Sequence, residues 1–252
     1  MLIKQPYITI PFNGEIWRLE IDEATATLLL EVRSESEKLV CFASVDLQSG
    51  KLNFSDYTTP ERWLTGMETA HNGVLLLHHY LSEKGPVHKG IVAVDVTTAG
   101  ILWSNYNLAF DHLSVNGPVV YNTQLLPKKL YLAGIKTGEN IRPYNPVIDE
   151  EPVKNIAVPH MLAPDQFPAE LPAAPYGNMI HYLEHNNYRI VSLHTHNGKT
   201  LNQHLYIMDG PDVVYEDLLN TDIQKMQPEA FVLHKNWLIC LKNKTGLLVL
   251  DI

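Results

Sequence analysis

Histidine is the residue type in this sequence whose number and spacing best suit metal chemistry. The chain has twelve histidines among 252 residues. One stretch holds five of them: His181, His185, His194, His196 and His204. His194 and His196 lie two residues apart in an apolar run, so a strand there would direct both imidazoles to one face. Two imidazoles on one face can bind one transition-metal ion.

A metal site also needs further ligands, and the residues that follow this pair do not supply them. Gly198, Lys199 and Thr200 stand where a glutamate would complete the site. We therefore favour the interpretation that His194 and His196 are strand residues with hydrogen-bonded tips. We expect no bound metal and no cofactor, and a metal-dependent enzyme that uses this histidine cluster remains the alternative.

Other catalytic signatures are absent from the sequence. It contains no Gly-x-Ser-x-Gly nucleophile elbow and no Gly-x-Gly-x-x-Gly phosphate loop. Gly198-Lys199-Thr200 is a Gly-Lys-Thr triplet, but Leu193 stands where a Gly-x-x-x-x-Gly-Lys-Ser/Thr loop requires its first glycine. Cys41 and Cys240 lie in apolar runs and are expected to be unreactive core thiols. The sequence therefore gives no sign of covalent catalysis or of nucleotide binding.

Charge and composition exclude several classes of partner. The net charge is −9 at pH 7, and no block of basic residues interrupts it, which argues against nucleic acid and anionic membranes. No apolar run approaches the roughly 20 residues of a membrane span. The segment from Met1 to Trp17 lacks the charged and apolar regions of a signal peptide. With two cysteines and no disulfide framework, we expect a cytoplasmic protein.

The elements that must position these side chains are predicted to be β-strands. Short runs rich in Val, Ile, Leu and Tyr alternate with turns such as Ser49-Gly50, Thr137-Gly138 and Asn197-Gly198. This pattern is typical of an all-β sandwich, barrel or propeller. The best candidate for a helix is Glu216–Gln227.

Two segments of the chain repeat the same turn chemistry. Residues 44–54 and 93–103 both follow the pattern small–x–Asp–x–x–Ser/Thr–small–x–x–x–aromatic. In each, the Asp46 or Asp95 carboxylate can accept backbone N–H bonds in an Asx turn. A following glycine can adopt the positive φ that returns the chain. The aromatic residue, Phe54 or Trp103, then packs from the next strand.

These repeats resemble the blades of quinoprotein-type β-propellers, a class of PQQ-repeat and WD40-like proteins. Such blades carry Ala-x-Asp-x-x-Thr-Gly-x-x-x-Trp; here Ala99 stands where glycine is expected, and Phe54 replaces the tryptophan in the first copy. The chain also resembles bacterial families of about this length that have such repeats and unknown function. The resemblance implies a propeller but not a quinone cofactor, because the site residues of quinone enzymes have no counterpart here.

The resemblance divides residues 1–252 into one propeller domain of five blades. The blades are predicted at Ile21–Tyr57, Arg62–Asn107, Asp111–Tyr144, Tyr176–Asn220 and Pro228–Ile252. Thr9–Glu20 would complete the last blade, because Gly14-Glu15-Ile16-Trp17 aligns with Gly100-Ile101-Leu102-Trp103. A shared strand of this kind would close the ring and remove two sheet edges. Six blades remain possible if residues 145–175 hold a divergent one.

Residues 145–175, here called the Pro-rich segment, form a second distinctive region. Half of the sixteen prolines of the chain lie between Pro143 and Pro175. Proline cannot donate a ladder hydrogen bond, so we predict a long inserted loop. Such a loop can act as a lid or a binding arm, or it can pack as an extended surface arm.

A propeller would hold functional acids on its innermost strands. Four carboxylates precede blade cores and are the candidates for a ligand site: Glu68, Asp111, Glu184 and Glu229. We expect a non-catalytic module that binds an unknown protein or small molecule. The alternatives are the metal-dependent enzyme at His194 and His196 and a glycosidase-like hydrolase, which would need two of these acids at the mouth of the axial channel.

Overall fold

A computed structural model describes residues 4–83, 85–228 and 230–252 of the chain. These residues are all-β, as the alternating sequence predicts: they form 22 strands, a 3₁₀ turn at Pro164–Gln166 and no α-helix. The strands are numbered in chain order and lie in five antiparallel sheets. The described residues contain no candidate for a membrane-spanning helix.

One compact unit spans Asn13–Lys154 and contains three four-stranded sheets. The first sheet consists of β2 (Glu15–Asp22), β3 (Thr27–Ser34), β4 (Leu39–Asp46) and β5 (Lys51–Tyr57). The second consists of β6 (Thr65–His71), β7 (Val74–Ser82), β8 (Gly85–Asp95) and β9 (Ile101–Asn105). The third consists of β10 (Leu108–Ser114), β11 (Gly117–Asn122), β12 (Leu130–Ala133) and β13 (Asn140–Pro143).

Alternating apolar side chains pack the three sheets of this unit against one another. Leu29 and Phe42 of the first sheet bury their side chains with Leu75 of the second. On its other face the second sheet packs Leu76 against Val120 of the third. Each sheet of the unit therefore shares an apolar interface with the next one along the chain.

The second unit combines Met1–Phe12 with Asn155–Ile252 and contains two five-stranded sheets. The fourth sheet consists of β15 (His160–Leu162), β16 (Ile180–His185), β17 (Tyr188–Asn197), β18 (Thr200–Asp209) and β19 (Asp212–Ile223). The fifth has the order β1 (Ile8–Pro11), β22 (Gly246–Asp251), β21 (Trp237–Lys242), β20 (Phe231–His234) and β14 (Ile156–Ala157). The core of this unit lies between the two sheets, around Ile190, Leu205 and Leu248.

The N-terminal strand joins the last sheet, but not through the residues that the Gly-x-x-Trp alignment predicts. The strand that pairs with β22 is β1, with Ile8 opposite Val249. Glu15–Asp22, which contains Trp17, is instead the first strand of the first sheet. The chain turns between the two strands at Asn13-Gly14, where a Cβ on Gly14 would lie 2.7 Å from the Arg33 carbonyl oxygen. The turn requires glycine for this close approach.

Two further expectations need correction. Glu216–Gln227 is not helical: strand β19 continues to Ile223 and pairs with β18 along its length. The Pro-rich segment is not entirely a loop, because it contributes β14 and β15 to the edges of the fifth and fourth sheets. Both strands fall in gaps between prolines, where backbone N–H groups are available for the ladder.

The predicted Asx turns are confirmed. The Asp46 carboxylate accepts hydrogen bonds from the backbone N–H of Gln48 at 2.8 Å and from the Ser49 hydroxyl at 2.8 Å. Asp95 accepts from the backbone N–H groups of Thr97 and Thr98 at 3.0 and 2.8 Å. These bonds end β4 and β8 in the same way and return the chain to the next strand.

Candidate functional site

Each of the three sheets in the Asn13–Lys154 unit carries a β-bulge in its first strand. The extra residue is Trp17 in β2, Glu68 in β6 and Asp111 in β10. A bulge redirects the side chain of its extra residue and increases the local twist. Two of the carboxylates selected from the sequence, Glu68 and Asp111, therefore occupy equivalent positions that a regular strand would not give them.

Arg18 fixes the bulge of the second sheet. Its guanidinium donates to the carbonyl oxygens of Met67 and Glu68 at 2.5 and 2.7 Å, and to the Glu20 carboxylate at 2.8 Å. Arg18 therefore contacts the backbone of this bulge from the neighbouring sheet. The orientation of the Glu68 side chain thus depends on a contact between β2 and β6.

A pocket of about 200 Å³ opens beside these residues. The first strands of the three sheets and the beginning of the Pro-rich segment line it. The titratable side chains of the lining are Arg18, Glu20, Glu68, His112, Glu151 and Lys154. Lys154 Nζ lies 3.3 Å from Glu20 Oε2, so acidic and basic groups face one another across a small polar cavity.

Glu68 also belongs to a cluster with two histidines of the same sheet. Its Oε1 lies 2.8 Å from His88 Nδ1 and 3.1 Å from His78 Nδ1. Among the described residues, Glu68, His78 and His88 form the only group of three such side chains with metal-binding spacing, and their ligand atoms all lie within 4.8 Å of one another. Imidazole nitrogens and a carboxylate oxygen are ligands that zinc and related metals accept.

The backbone of the second sheet brings the three side chains together. His78 follows the buried run Val74–Leu77 on β7, and His88 lies on β8 opposite Tyr80. A bulge at Gly90, with φ of +70°, shifts the register between β7 and β8 next to His88. The strand alternation places His78 and Tyr80 on one face, where the Tyr80 ring lies edge-on to both imidazoles.

The His78 ring is deeply buried. Only 2% of the residue is exposed, and a Cβ on Gly66 would lie 2.9 Å from Nε2. Neither ring nitrogen has a hydrogen-bond partner with good geometry among the described residues. The rings of His78 and His88 stack with centroids 3.5 Å apart and an angle of 7° between their planes. A buried imidazole with no well-aligned hydrogen bond at either nitrogen is unusual, since buried polar groups almost always have such partners.

The charge of Glu68 is set by opposing effects. Burial raises its pKa, but the ring nitrogens of His78 and His88 that face the carboxylate outweigh burial, and the pKa lies below its ordinary value. Glu68 is therefore an ionised carboxylate at neutral pH. It can accept hydrogen bonds or bind a cation.

The other predicted acids lie elsewhere. Asp111 is held by Lys128 at 2.5 Å and by His112 at 2.7 Å, and although burial raises its pKa, these two partners lower it overall. Glu184 belongs to the other unit, is largely exposed on β16 and accepts a hydrogen bond from Tyr182. Glu229 lies outside the described residues. Of the three acids that the structure describes, Glu68 is the one that lines the pocket.

His194 and His196 do not share one environment. His194 is buried, and its Nε2 accepts a hydrogen bond from the Gln227 backbone N–H at 3.0 Å. Burial, together with His181 and His204 nearby, lowers the pKa of His194 to about 4, so its imidazole is neutral at pH 7. His196 is exposed and lies edge-on to Tyr176. The Nε2 lone pair of His194 is used by the hydrogen bond from Gln227, and His194 and His196 do not form a pair of adjacent ligands.

Sequence reasoning missed His88. His78 was not among the selected histidines either, and His88 lies ten residues further along the chain. The observed register pairs Tyr80 with His88 and His78 with Ile91, which places His88 diagonal to His78. The bulges at Glu68 and Gly90, which complete the cluster, are not readable from residue types.

Comparison with known proteins gives one family match. Residues 21–103 match DUF4905, a domain of unknown function. The match covers less than half of the chain. No curated protein matches the chain.

Solved structures similar to the chain include the β-propeller domain of the trilobed protease from Pyrococcus furiosus, with a TM-score of 0.36 and 12% identity over 94% of this chain. A europium-containing methanol dehydrogenase gives a TM-score of 0.31 and 10% identity over 97% of the chain. The chain spans 65% and 52% of the lengths of these two proteins. A member of the DUF4221 family from Bacteroides vulgatus gives a TM-score of 0.25 and 10% identity, with 100% of this chain and 97% of that one covered. Likenesses this distant carry no argument about activity.

Proposed function

We propose that the chain is a five-bladed β-propeller that acts as a non-catalytic binding module for a small zwitterionic molecule. The ring is closed by β1, and the ligand occupies the pocket beside Glu68. The observation that carries the proposal is the lining of this pocket, where acidic and basic side chains from three successive sheets face one cavity.

The sheet order supports the propeller. Five antiparallel sheets of four or five strands follow one another along the described chain, and the first strand pairs with the last. In such a ring the first strands of the blades line the central channel. The strands β2, β6 and β10 are first strands, and all three contribute to the pocket.

The size and charge of the pocket favour the ligand class. A volume of about 200 Å³ equals roughly seven water molecules at about 30 Å³ each, which is enough for a free amino acid. Lys154 and Glu151 both reach the lining from the Pro-rich segment. A molecule with one ammonium and one carboxylate group can pair with both signs of charge, whereas a purely apolar ligand would leave them desolvated.

The test is calorimetric titration of the wild-type chain with each of the common free amino acids. We expect binding of at least one, weakened by about tenfold or more in Lys154→Met, since a hydrogen bond to a charged group contributes about 1.5–3 kcal/mol. Lys129→Met is the matched control, because Lys129 is an exposed lysine of the same unit outside the pocket. Lys154 is also exposed, so neither change should affect folding.

Two results would overturn the proposal. If no amino acid gives a heat of binding, small zwitterionic molecules are not the ligand of this pocket. Hydrolysis of chromogenic aryl glycosides by the wild-type chain, lost in Glu68→Gln, would show that the pocket is a hydrolase site and that the module is catalytic.

A further inference from the structure

We propose that Glu68, His78 and His88 form a binding site for a divalent transition-metal ion such as Zn²⁺. The inference goes beyond the proposed binding of a zwitterion, because the three ligands come from one sheet and require neither a closed ring nor an occupied pocket. It departs from the expectation that the chain binds no metal.

The distances between the ligand atoms fit one ion. Bonds of about 2.0–2.1 Å in a tetrahedral zinc site put neighbouring ligand atoms about 3.3 Å apart. Glu68 Oε1 lies 2.8 Å from His88 Nδ1 and 3.1 Å from His78 Nδ1. An ion can therefore replace the direct contact if the three atoms separate by a few tenths of an ångström.

The burial of His78 is the second, independent observation that points to a ligand. Its ring is 2% exposed, and both nitrogens lack a well-aligned hydrogen-bond partner among the described residues. Gly66 leaves the space that the ring occupies, since any Cβ there would collide with Cε1 and Nε2. A bound ion at Nδ1 would give this buried imidazole a well-aligned partner, which Glu68 Oε1 at 3.1 Å is not.

The stacked rings show which ligand must move. Two parallel imidazoles 3.5 Å apart cannot both hold one ion in their ring planes, so one ring has to tilt. His78 is fixed by burial, whereas about a third of the His88 side chain is exposed. His88 is therefore the ligand that tilts to complete the site.

The ligand set also selects the metal. Two imidazoles and one carboxylate suit Zn²⁺, Co²⁺ and Ni²⁺, while Mg²⁺ prefers an all-oxygen, octahedral shell. Three protein ligands leave at least one coordination position for water or for a group of a bound molecule. Glu68 is the ligand that also lines the pocket.

The experiment is titration of the metal-free chain with Zn²⁺, Co²⁺ and Mg²⁺ alone, followed by calorimetry and, for Co²⁺, by visible absorption. We expect one equivalent of Zn²⁺ or Co²⁺ to bind, with imidazole-bound Co²⁺ bands, and no binding of Mg²⁺. His88→Gln should weaken Zn²⁺ binding by about 100-fold or more, since loss of even an outer partner weakens a metal site by roughly 10- to 100-fold. Glu68→Gln should weaken it similarly.

His71→Ala is the matched control, because His71 is a half-buried histidine of the same sheet that lies outside the cluster. It should bind Zn²⁺ as the wild type does. Since His78→Ala removes a buried ring and can unfold the chain, the conclusion rests on His88→Gln and Glu68→Gln. Failure of the wild type to bind, or equal binding by wild type and His88→Gln, would overturn the site. Neither result bears on amino-acid binding at Lys154.

Discussion

The repeat of residues 93–103 differs from that of residues 44–54 at a turn residue, where Ala99 replaces the equivalent Gly50. Ala99 has φ of +59°, a left-handed conformation that Gly50 adopts at the equivalent turn with φ of +71°. A Cβ in this region raises the energy by about 1–2 kcal/mol. The Asx turn around Asp95 holds Ala99 there, and the Ala99 backbone N–H donates to the Asp95 carbonyl oxygen at 3.0 Å.

Ala99→Gly should therefore stabilise the chain, by about 1 kcal/mol, although glycine usually destabilises a folded protein through the entropy of the unfolded chain. The reverse change at the equivalent turn, Gly50→Ala, should destabilise it by a similar amount. Urea unfolding of both variants checks this. A loss of stability in Ala99→Gly would mean that the turn tolerates the methyl group without strain.

At the scale of elements, the Pro-rich segment is held to the third sheet at its beginning. Asp149 is buried and accepts hydrogen bonds from both terminal nitrogens of Arg142, from the Asn145 backbone N–H and from Asn116 Nδ2. The hydrogen bond from Arg142 holds the pKa of Asp149 far below its ordinary value, because it outweighs the opposing effect of desolvation. The segment is thus anchored before it reaches β14.

This anchor should make stability dependent on acid. A carboxyl group whose pKa is lowered by folding stabilises the protein above its unfolded pKa, near 3.9, and loses that contribution as the pH falls below it. Asp149→Asn should lower the melting temperature at pH 7 and lose less stability than the wild type between pH 7 and about pH 3. Asp165→Asn, an exposed aspartate of the same segment, is the control. Equal acid sensitivity in wild type and Asp149→Asn would contradict the anchor.

At the level of single elements, the sequence predicts those strands and turns whose formation depends only on neighbouring residues. Strands such as β7 and the Asx turns at Asp46 and Asp95 follow from alternation and turn residues alone. The strand β14 was missed because the density of prolines hides the short gap that contains Ile156 and Ala157. Of the cluster at Glu68, the sequence predicted only the acid. The positions of its histidine partners depend on the register at two bulges, and that register is set by long-range strand pairing.

At the scale of the whole molecule, β1 is the element that would close the proposed ring. Ile8 is buried in the fifth sheet, whereas Thr9 beside it is exposed. Since β1 leads directly into the first sheet, a closed ring couples the unfolding of both units, while an open chain lets the Asn13–Lys154 unit unfold by itself.

Ile8→Ala should then destabilise the chain by about 2–4 kcal/mol in a single transition, because a buried isoleucine loses its packing. Thr9→Ala should have little effect. Calorimetry combined with hydrogen exchange of the two units provides the measurement. If Ile8→Ala lowers the stability of the Asn155–Ile252 unit and leaves the sheets of residues 13–154 unchanged, the ring is not closed.

The direction of β1 also determines how the fold responds to mechanical force. Because β1 and β22 are antiparallel, with Ile8 opposite Val249 and Pro11 opposite Gly246, the chain enters β1 at the same end of the ladder at which it leaves β22. Tension between the segments before β1 and after β22 would load one hydrogen-bonded pair at a time, starting at Ile8. The strand would peel like a zipper at low force, however cooperatively the same contacts resist heat.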